Sequence, residues 1–194
     1  MIELDCYYLK TRFKHHYTYK DYLLSEFEKY QTPTDINTFS VNYQDNNYYN
    51  KINKVDYHNG RDFNRPWVKR IHQAFQIELY TLHSQLGFDG HDLKDFWFQQ
   101  YVENDKHDWH THGENYTGVY YVEMPDGAPG TELYSRGKII SPPVEEGDIV
   151  IFPSIIPHRA PLIKSNLRKT IISFNIQLED FSDSKIEEMN NATA

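Results

Sequence analysis

A single cysteine, Cys6, stands in 194 residues, so no internal disulfide can staple this chain and its core must come from packing. No apolar run approaches the ~20 residues of a bilayer span. The opening MIELDCYYLK also lacks the apolar segment of a secretory leader, so the expectation is a soluble, intracellular, cytoplasmic protein. Positive charge is scarce too: 20 Lys and Arg face 28 Asp and Glu, a formal charge of −8. General nucleic-acid and membrane-surface binders need a basic face. Neither partner is therefore expected, although a local basic pocket stays open. Repeats and low-complexity tracts are absent. What the chain does have is aromatic mass, with 16 Tyr and 11 Phe inside a 39% hydrophobic composition, enough to fill a core despite a mean hydropathy of −0.76. A length of 194 residues suits one domain.

Three regions follow from the pattern. Residues 1–92 read as a helical and irregular support. Within them TYKDYLLSEFEKY opens on Thr18 with Asp21 three residues on, a capping-box pattern. Tyr19, Tyr22, Leu23, Phe27 and Tyr30 then follow helical spacing, and the helix is expected to end before Pro33. Residues 31–63 show no period and read as loop, with one short strand around 39–43. The clearest helix is RPWVKRIHQAFQIELYTLHSQLG: Pro66 fits a first turn, Val68, Ile71, Phe75, Leu79, Leu82 and Leu86 form one stripe, and Gly87 terminates it. His72 and His83 are read as plain helix residues. From Lys94 the pattern turns to strands: KDFWFQQYV, YTGVYYVEM, TELYS, GKIISP, GDIVIFPS and RKTIISFNIQLE, separated by turns at PDGAPG, SPPVEEGD and IKSNL. Some six short strands without intervening helices predict an antiparallel barrel or two-sheet jelly roll over 93–180. The fold class is mainly β with N-terminal helices, and the polar stretch 181–194 is expected to fray.

The chemistry concentrates in KHDWHTHGENYTGVYYVEMPD. On a strand, residues two apart share a face, so His110 and His112 would aim into one cavity. His158, in FPSIIPHRAP just past another strand, would meet them at the mouth of a barrel. Three protein ligands leave positions open for substrate and oxygen. Glu114, two residues further on, is the alternative to His112 as middle ligand, while His107 is read as an approach-loop or supporting residue. Ten residues after His158 comes Arg168. On a strand it shares a face with Thr170 and Ile172, whereas Lys169, Ile171 and Ser173 share the other. An arginine inside an apolar barrel needs an anion, and its fork suits a carboxylate, with the Thr170 hydroxyl as a further donor.

HTHGENYTGVYYVEMP, GDIVIFPSIIPH and RKTIISFNI resemble the small prolyl-hydroxylase-like 2-oxoglutarate/Fe(II) oxygenases. The nearest subgroup carries H-x-H, S-G-V-Y-Y, F-P-S-x-x-x-H and R-x-S/T-x-x-F-N, and the resemblance spans 94–178. It implies a double-stranded β-helix (a distorted jelly roll), Fe(II), 2-oxoglutarate as co-substrate and O2, and hydroxylation of a C–H bond. By position it makes His110 and His158 iron ligands, Arg168 and Thr170 the grip on the distal carboxylate of 2-oxoglutarate, and Tyr121 a hydrogen-bond partner of that carboxylate. The departure is histidine rather than aspartate or glutamate at position 112. Trp97, Gln99 and Trp109 are candidate entrance residues, and 42–60 a candidate lid. The expected substrate is a small molecule or a protein side chain, a prolyl or other amino-acid group first. A three-His zinc hydrolase or a cupin-type dioxygenase would use the same imidazoles but give Arg168 no duty, and a non-catalytic jelly-roll binding module would use neither. Monomer and homodimer both remain open.

Overall fold

The computed structural model describes residues 7–31, 52–164 and 166–192. Ten strands and three α-helices follow in the order β1 (Leu9–Arg12), α1 (His16–Lys29), β2 (Lys54–Val55), α2 (Pro66–Gln85), β3 (Phe88–Tyr101), β4 (His107–His110), β5 (Tyr116–Glu123), β6 (Glu132–Ser135), β7 (Lys138–Ile140), β8 (Asp148–Pro153), β9 (His158–Ala160), β10 (Lys169–Phe181) and α3 (Asp183–Asn191). They build two antiparallel sheets, a six-stranded one ordered β1-β8-β5-β10-β3-β2 and a four-stranded one ordered β4-β9-β6-β7. This is a double-stranded β-helix with helices packed on the larger sheet.

Period-two alternation sorts the large sheet's side chains into two layers. Phe96 and Phe98 of β3, Tyr120 and Val122 of β5, and Ile172 and Phe174 of β10 face outward onto the stripe Val68, Ile71, Phe75, Leu79 and Leu82 of α2 and onto Leu23 and Phe27 of α1. Trp97 and Tyr101 of β3, Val119 and Tyr121 of β5, and Ile171 of β10 face inward, where they meet Leu133, Ala160 and Ile163 across the barrel. Each fully buried aliphatic or Phe side chain contributes roughly 1.5–3 kcal/mol, so both layers hold the large sheet in place.

The stripe of α2 is as its spacing predicts, and Gly87 ends the helix with φ of +82°, a backbone that side chains other than glycine's rarely accept. Other elements differ from expectation. Helix α1 starts at His16, with His15 at its cap and no side-chain cap bond; Thr18 therefore lies within the first turn rather than ahead of it. Strand β3 is 14 residues long, running straight on from Gly87 rather than starting at Lys94. Residues 182–191 are not a frayed tail: Ser182 Oγ accepts from Lys185 N and caps α3. Strands β1, β4 and β9 have 3 or 4 residues, too few to show a period. The expected strand at 39–43 lies outside the described residues, as does most of the expected lid. Among the described residues, no helix is long and apolar enough to cross a membrane.

Candidate metal centre

Strands β4 and β9 pair so that His110 sits directly opposite His158. Strand β4 ends there, and His112 lies just beyond it, in the connection to β5. The shared-face argument for His112 thus does not apply; its ring is brought in by the backbone hydrogen bond from His112 N to Ser154 O, 3.2 Å. The outcome is still convergence. One nitrogen from each of His110, His112 and His158 lies within 4.8 Å of the others. Glu114 is not in that group.

The ring orientations are set by the backbone. Nδ1 of His110 is 2.7 Å from Asp108 O, and Nδ1 of His158 is 2.9 Å from Ile156 O. A carbonyl only accepts, so each Nδ1 carries the proton and each Nε2 keeps its lone pair for a metal. Loss of hydration lowers the pKa of all three imidazoles, that of His112 to about 3. They stay neutral, as metal ligands must. His107 stacks on His110, centroids 3.9 Å apart and planes 12° apart. Gln99 fixes it from behind: Ser173 Oγ donates to Gln99 Oε1 at 2.9 Å, which turns Gln99 Nε2 toward His107 Nδ1 at 3.2 Å. His107 thus lies on β4, against His110 and outside the three-nitrogen group.

Arg168 is not where the sequence reading put it. Its side chain is 38% exposed and points out of the barrel. There it forms a bidentate pair with Glu123, Nε to Oε2 at 2.8 Å and Nη2 to Oε1 at 2.9 Å, and also contacts Glu28 of α1. Thr170 faces the same way, donating to Glu123 Oε2 at 2.9 Å and accepting from Gln100. Arg168 and Thr170 share the outward face of Ile172 and Phe174, and a bulge between β5 and β10 brings Glu123 to meet them. Ile171 pairs with Tyr121 but Thr170 pairs with Glu123, so Val122 is the extra residue and Glu123 swings onto the outer side. The alternation along β10 is as read; the inward face is the other one.

That inward face carries Lys169, which is 1% exposed. Its Nζ donates to Pro129 O at 2.8 Å and lies 5.0 Å from the centre of the Tyr101 ring. No carboxylate pairs with it among the described residues, and burial lowers its pKa to about 7. Tyr121 also points inward, its hydroxyl donating to Thr131 Oγ1 at 2.9 Å and accepting from Thr131 N at 3.1 Å. The Tyr101 hydroxyl is buried with no hydrogen-bond partner among the described residues. Inward residues thus form rungs across the paired strands β10 and β3: Lys169 with Tyr101, Ile171 with Gln99, Ser173 with Trp97. Trp97 stands 5.9 Å from His112, ring to ring, so the imidazoles lie toward one end of this ladder and the lone ammonium toward the other.

Trp97 and Gln99 line the cavity, as do Thr117 and Thr131. Trp109 does not; it projects from the opposite face of β4, 6.0 Å from Tyr134 and under the guanidinium of Arg159. Sequence reasoning missed Lys169 and Tyr101, yet the motif R-x-S/T-x-x-F-N counted back from Phe174 and Asn175 puts its basic position at 169.

No family model matches the sequence, and no curated protein matches it. Solved structures do. AviO1 from Streptomyces viridochromogenes Tue57 is 10% identical over 90% of this chain and 92% of its own, with a TM-score of 0.60. A prolyl hydroxylase from Trichoplax adhaerens, in complex with a hypoxia inducible factor oxygen degradation domain peptide fragment, is 13% identical over 96% and 87%, TM-score 0.59. The viral collagen prolyl hydroxylase vCPH from Paramecium Bursaria Chlorella virus-1, solved as a 2OG complex, is 14% identical over 90% and 97%, TM-score 0.58. At such identities the likeness is one of fold, and it is the fold the sequence motifs implied.

Proposed function

We propose that this chain is an Fe(II)- and 2-oxoglutarate-dependent oxygenase that hydroxylates a C–H bond of a prolyl or other amino-acid substrate. The observation that carries the reading is Lys169: an ammonium buried with no carboxylate partner among the described residues, on the rung with Tyr101, which lines the cavity of the three neutral imidazoles. One end suits a divalent cation, the other a carboxylate, and 2-oxoglutarate has both a metal-chelating end and a distal acid. The donor set fits iron, since imidazole suits Fe as well as Zn. A zinc hydrolase would leave Lys169 without a partner.

In this reading His110, His112 and His158 hold the metal. Iron(II) with 2-oxoglutarate and O2 supplies oxidative decarboxylation to succinate and CO2, with one oxygen atom entering the substrate C–H bond. Lys169 replaces Arg168 and Thr170 as the grip on the distal carboxylate: of its three N–H donors, one is engaged by Pro129 and two remain. Tyr101 adds a donor that otherwise goes unsatisfied. Tyr121, fixed by Thr131, presents its remaining lone pair and ring as wall rather than as a free donor. The apolar residues Val119, Leu133, Phe152 and Ile171 keep bulk water from the space between.

Thermal denaturation without oxygen tests this. Mn(II) and 2-oxoglutarate together raise the melting temperature beyond either alone, because ligands that bind only the native state stabilise it by mass action. Absence of any shift with either overturns the oxygenase reading.

A further inference from the structure

The ladder of inward residues has one more rung beyond Trp97 and Ser173: Asp95 of β3 directly opposite Asn175 of β10. Both are buried, at 9% and 2% exposure. Asn175 Nδ2 donates to Asp95 Oδ2 at 3.1 Å. A carboxylate cannot donate here, so the amide orientation is fixed, with Oδ1 as the remaining acceptor. That oxygen has no hydrogen-bond partner among the described residues. The other carboxylate oxygen of Asp95 accepts from Arg61 Nε at 3.0 Å, and the Arg61 side chain is 80% exposed. Arg61 is held above Asp95 by a fixed turn: Asp56 takes Phe98 N at 2.7 Å and Trp67 Nε1 at 3.1 Å and pairs with Arg65, while Phe96 N donates to Gly60 O. Below this rung stand Trp97 and His112, with Tyr57 edge-on to Trp97 at 5.1 Å. Thus the buried lysine marks one end of the ladder, the imidazoles lie nearer the other, and beyond them stand a carboxylate, a buried amide oxygen and an exposed guanidinium.

We infer that this rung recognises the two charged groups of a free α-amino acid, its ammonium on Asp95 and Asn175 Oδ1 and its carboxylate on Arg61. The inference rests on the oxygenase reading, whose substrate it names. The chemistry favours a zwitterion over a peptide unit. Drawing Arg61 off Asp95 leaves a buried carboxylate that needs another cation. An ammonium, primary or the secondary one of proline, supplies that charge and donors for Asn175 Oδ1 as well. A peptide group carries no charge and can satisfy only one of the two acceptors. Arg61, released, is already at the rim to receive the carboxylate, where its fork binds best.

The test uses the full chain with Mn(II) and 2-oxoglutarate, without oxygen, and a panel of free L-amino acids beside their N-acetyl amides. At least one free amino acid gives a further saturable melting shift, and its blocked counterpart binds about tenfold or more weaker, the factor carried by one charge-assisted hydrogen bond. Arg61→Ala, a change at an exposed side chain, weakens that amino acid by a similar factor while the Mn(II)/2-oxoglutarate shift stays. Asn175→Leu does the same if it folds. A blocked derivative that binds as well as the free one overturns the inference, as does a panel with no response or an Arg61→Ala chain with native affinity. In each of those cases the intact Mn(II)/2-oxoglutarate shift leaves the oxygenase reading standing; loss of that shift in the native chain removes both.

Discussion

Adjacent basic residues on β10 have opposite surroundings, and the proposed chemistry rests on the one that points inward. Arg168 has two carboxylates at the outer surface, and the Glu123 contact raises its pKa; Lys169 has one carbonyl and an aromatic face. Removing them should therefore differ in kind. Lys169→Met weakens 2-oxoglutarate by about a hundredfold, the worth of a buried charge-assisted contact, and leaves Mn(II) binding close to native. Arg168→Ala changes 2-oxoglutarate affinity by less than about threefold, as befits a part-exposed pair. Calorimetric titration of both variants checks this, and the reverse ranking would show that Arg168 turns inward. The protonation of Lys169 gives a second readout. Its folded pKa is near 7, below its ordinary 10.5, so free protein loses the ammonium as pH rises through 7. The carboxylate binds only the ammonium. Affinity is greatest below pH 7 and falls about tenfold per pH unit above it, until the pKa reached in the complex. The sequence showed the alternation along this strand but not which side meets the helices, because Ile171 and Ile172 are equally apolar and the choice is made by packing of Ile172 and Phe174 against the helix-facing layer.

Strand pairing explains a motif that chemistry does not. Gly118, the glycine of YTGVYY, lies directly opposite Phe174 on β10. A Cβ there would stand 2.2 Å from Phe174 Cζ, in the layer where the large sheet packs on α2. Gly118→Ala should destabilise by about 3 kcal/mol, the upper end of ordinary overpacking. Pairing it with Phe174→Leu should recover part of the loss, since the two sites share one contact. Urea unfolding of the single and double variants measures this; a native-like midpoint for Gly118→Ala would show that the ring has room to move. The long elements were legible for the reason that makes them stable: α2 and β10 each repeat their period several times. Strands β4 and β9 are set instead by their pairing partner. His110 and His158 could be matched from motif spacing, but the place of His112 past a strand end depends on a bond to Ser154 that no local pattern encodes.

Across the whole molecule, nine of ten histidines, namely His16, His58, His72, His83, His91, His107, His110, His112 and His158, have pKa values lowered by loss of hydration. Only part of this belongs to the metal centre; His83 and His91, for instance, pair Nδ1 to Nδ1 at 2.6 Å between α2 and β3. A histidine with a depressed folded pKa binds its proton first in the unfolded chain. The stability it contributes is therefore present above about pH 6.5 and is lost as pH falls below that value. Each such group adds at most about 1.4 kcal/mol per pH unit, and several act together. Two carboxyls oppose them: burial raises Asp56 to about 6 and raises Asp105 as well, so each gains a proton in the folded chain first. With nine groups against two, the net slope favours unfolding in mild acid. The urea midpoint should drop steeply from about pH 7 to about pH 5. Mn(II) should raise it by a similar amount across that range, because the three imidazoles of the folded chain stay neutral and protons do not compete for them. A midpoint that holds constant over this interval would mean the histidine rings are hydrated in the folded protein, and the packing that brings three of them together would then be wrong.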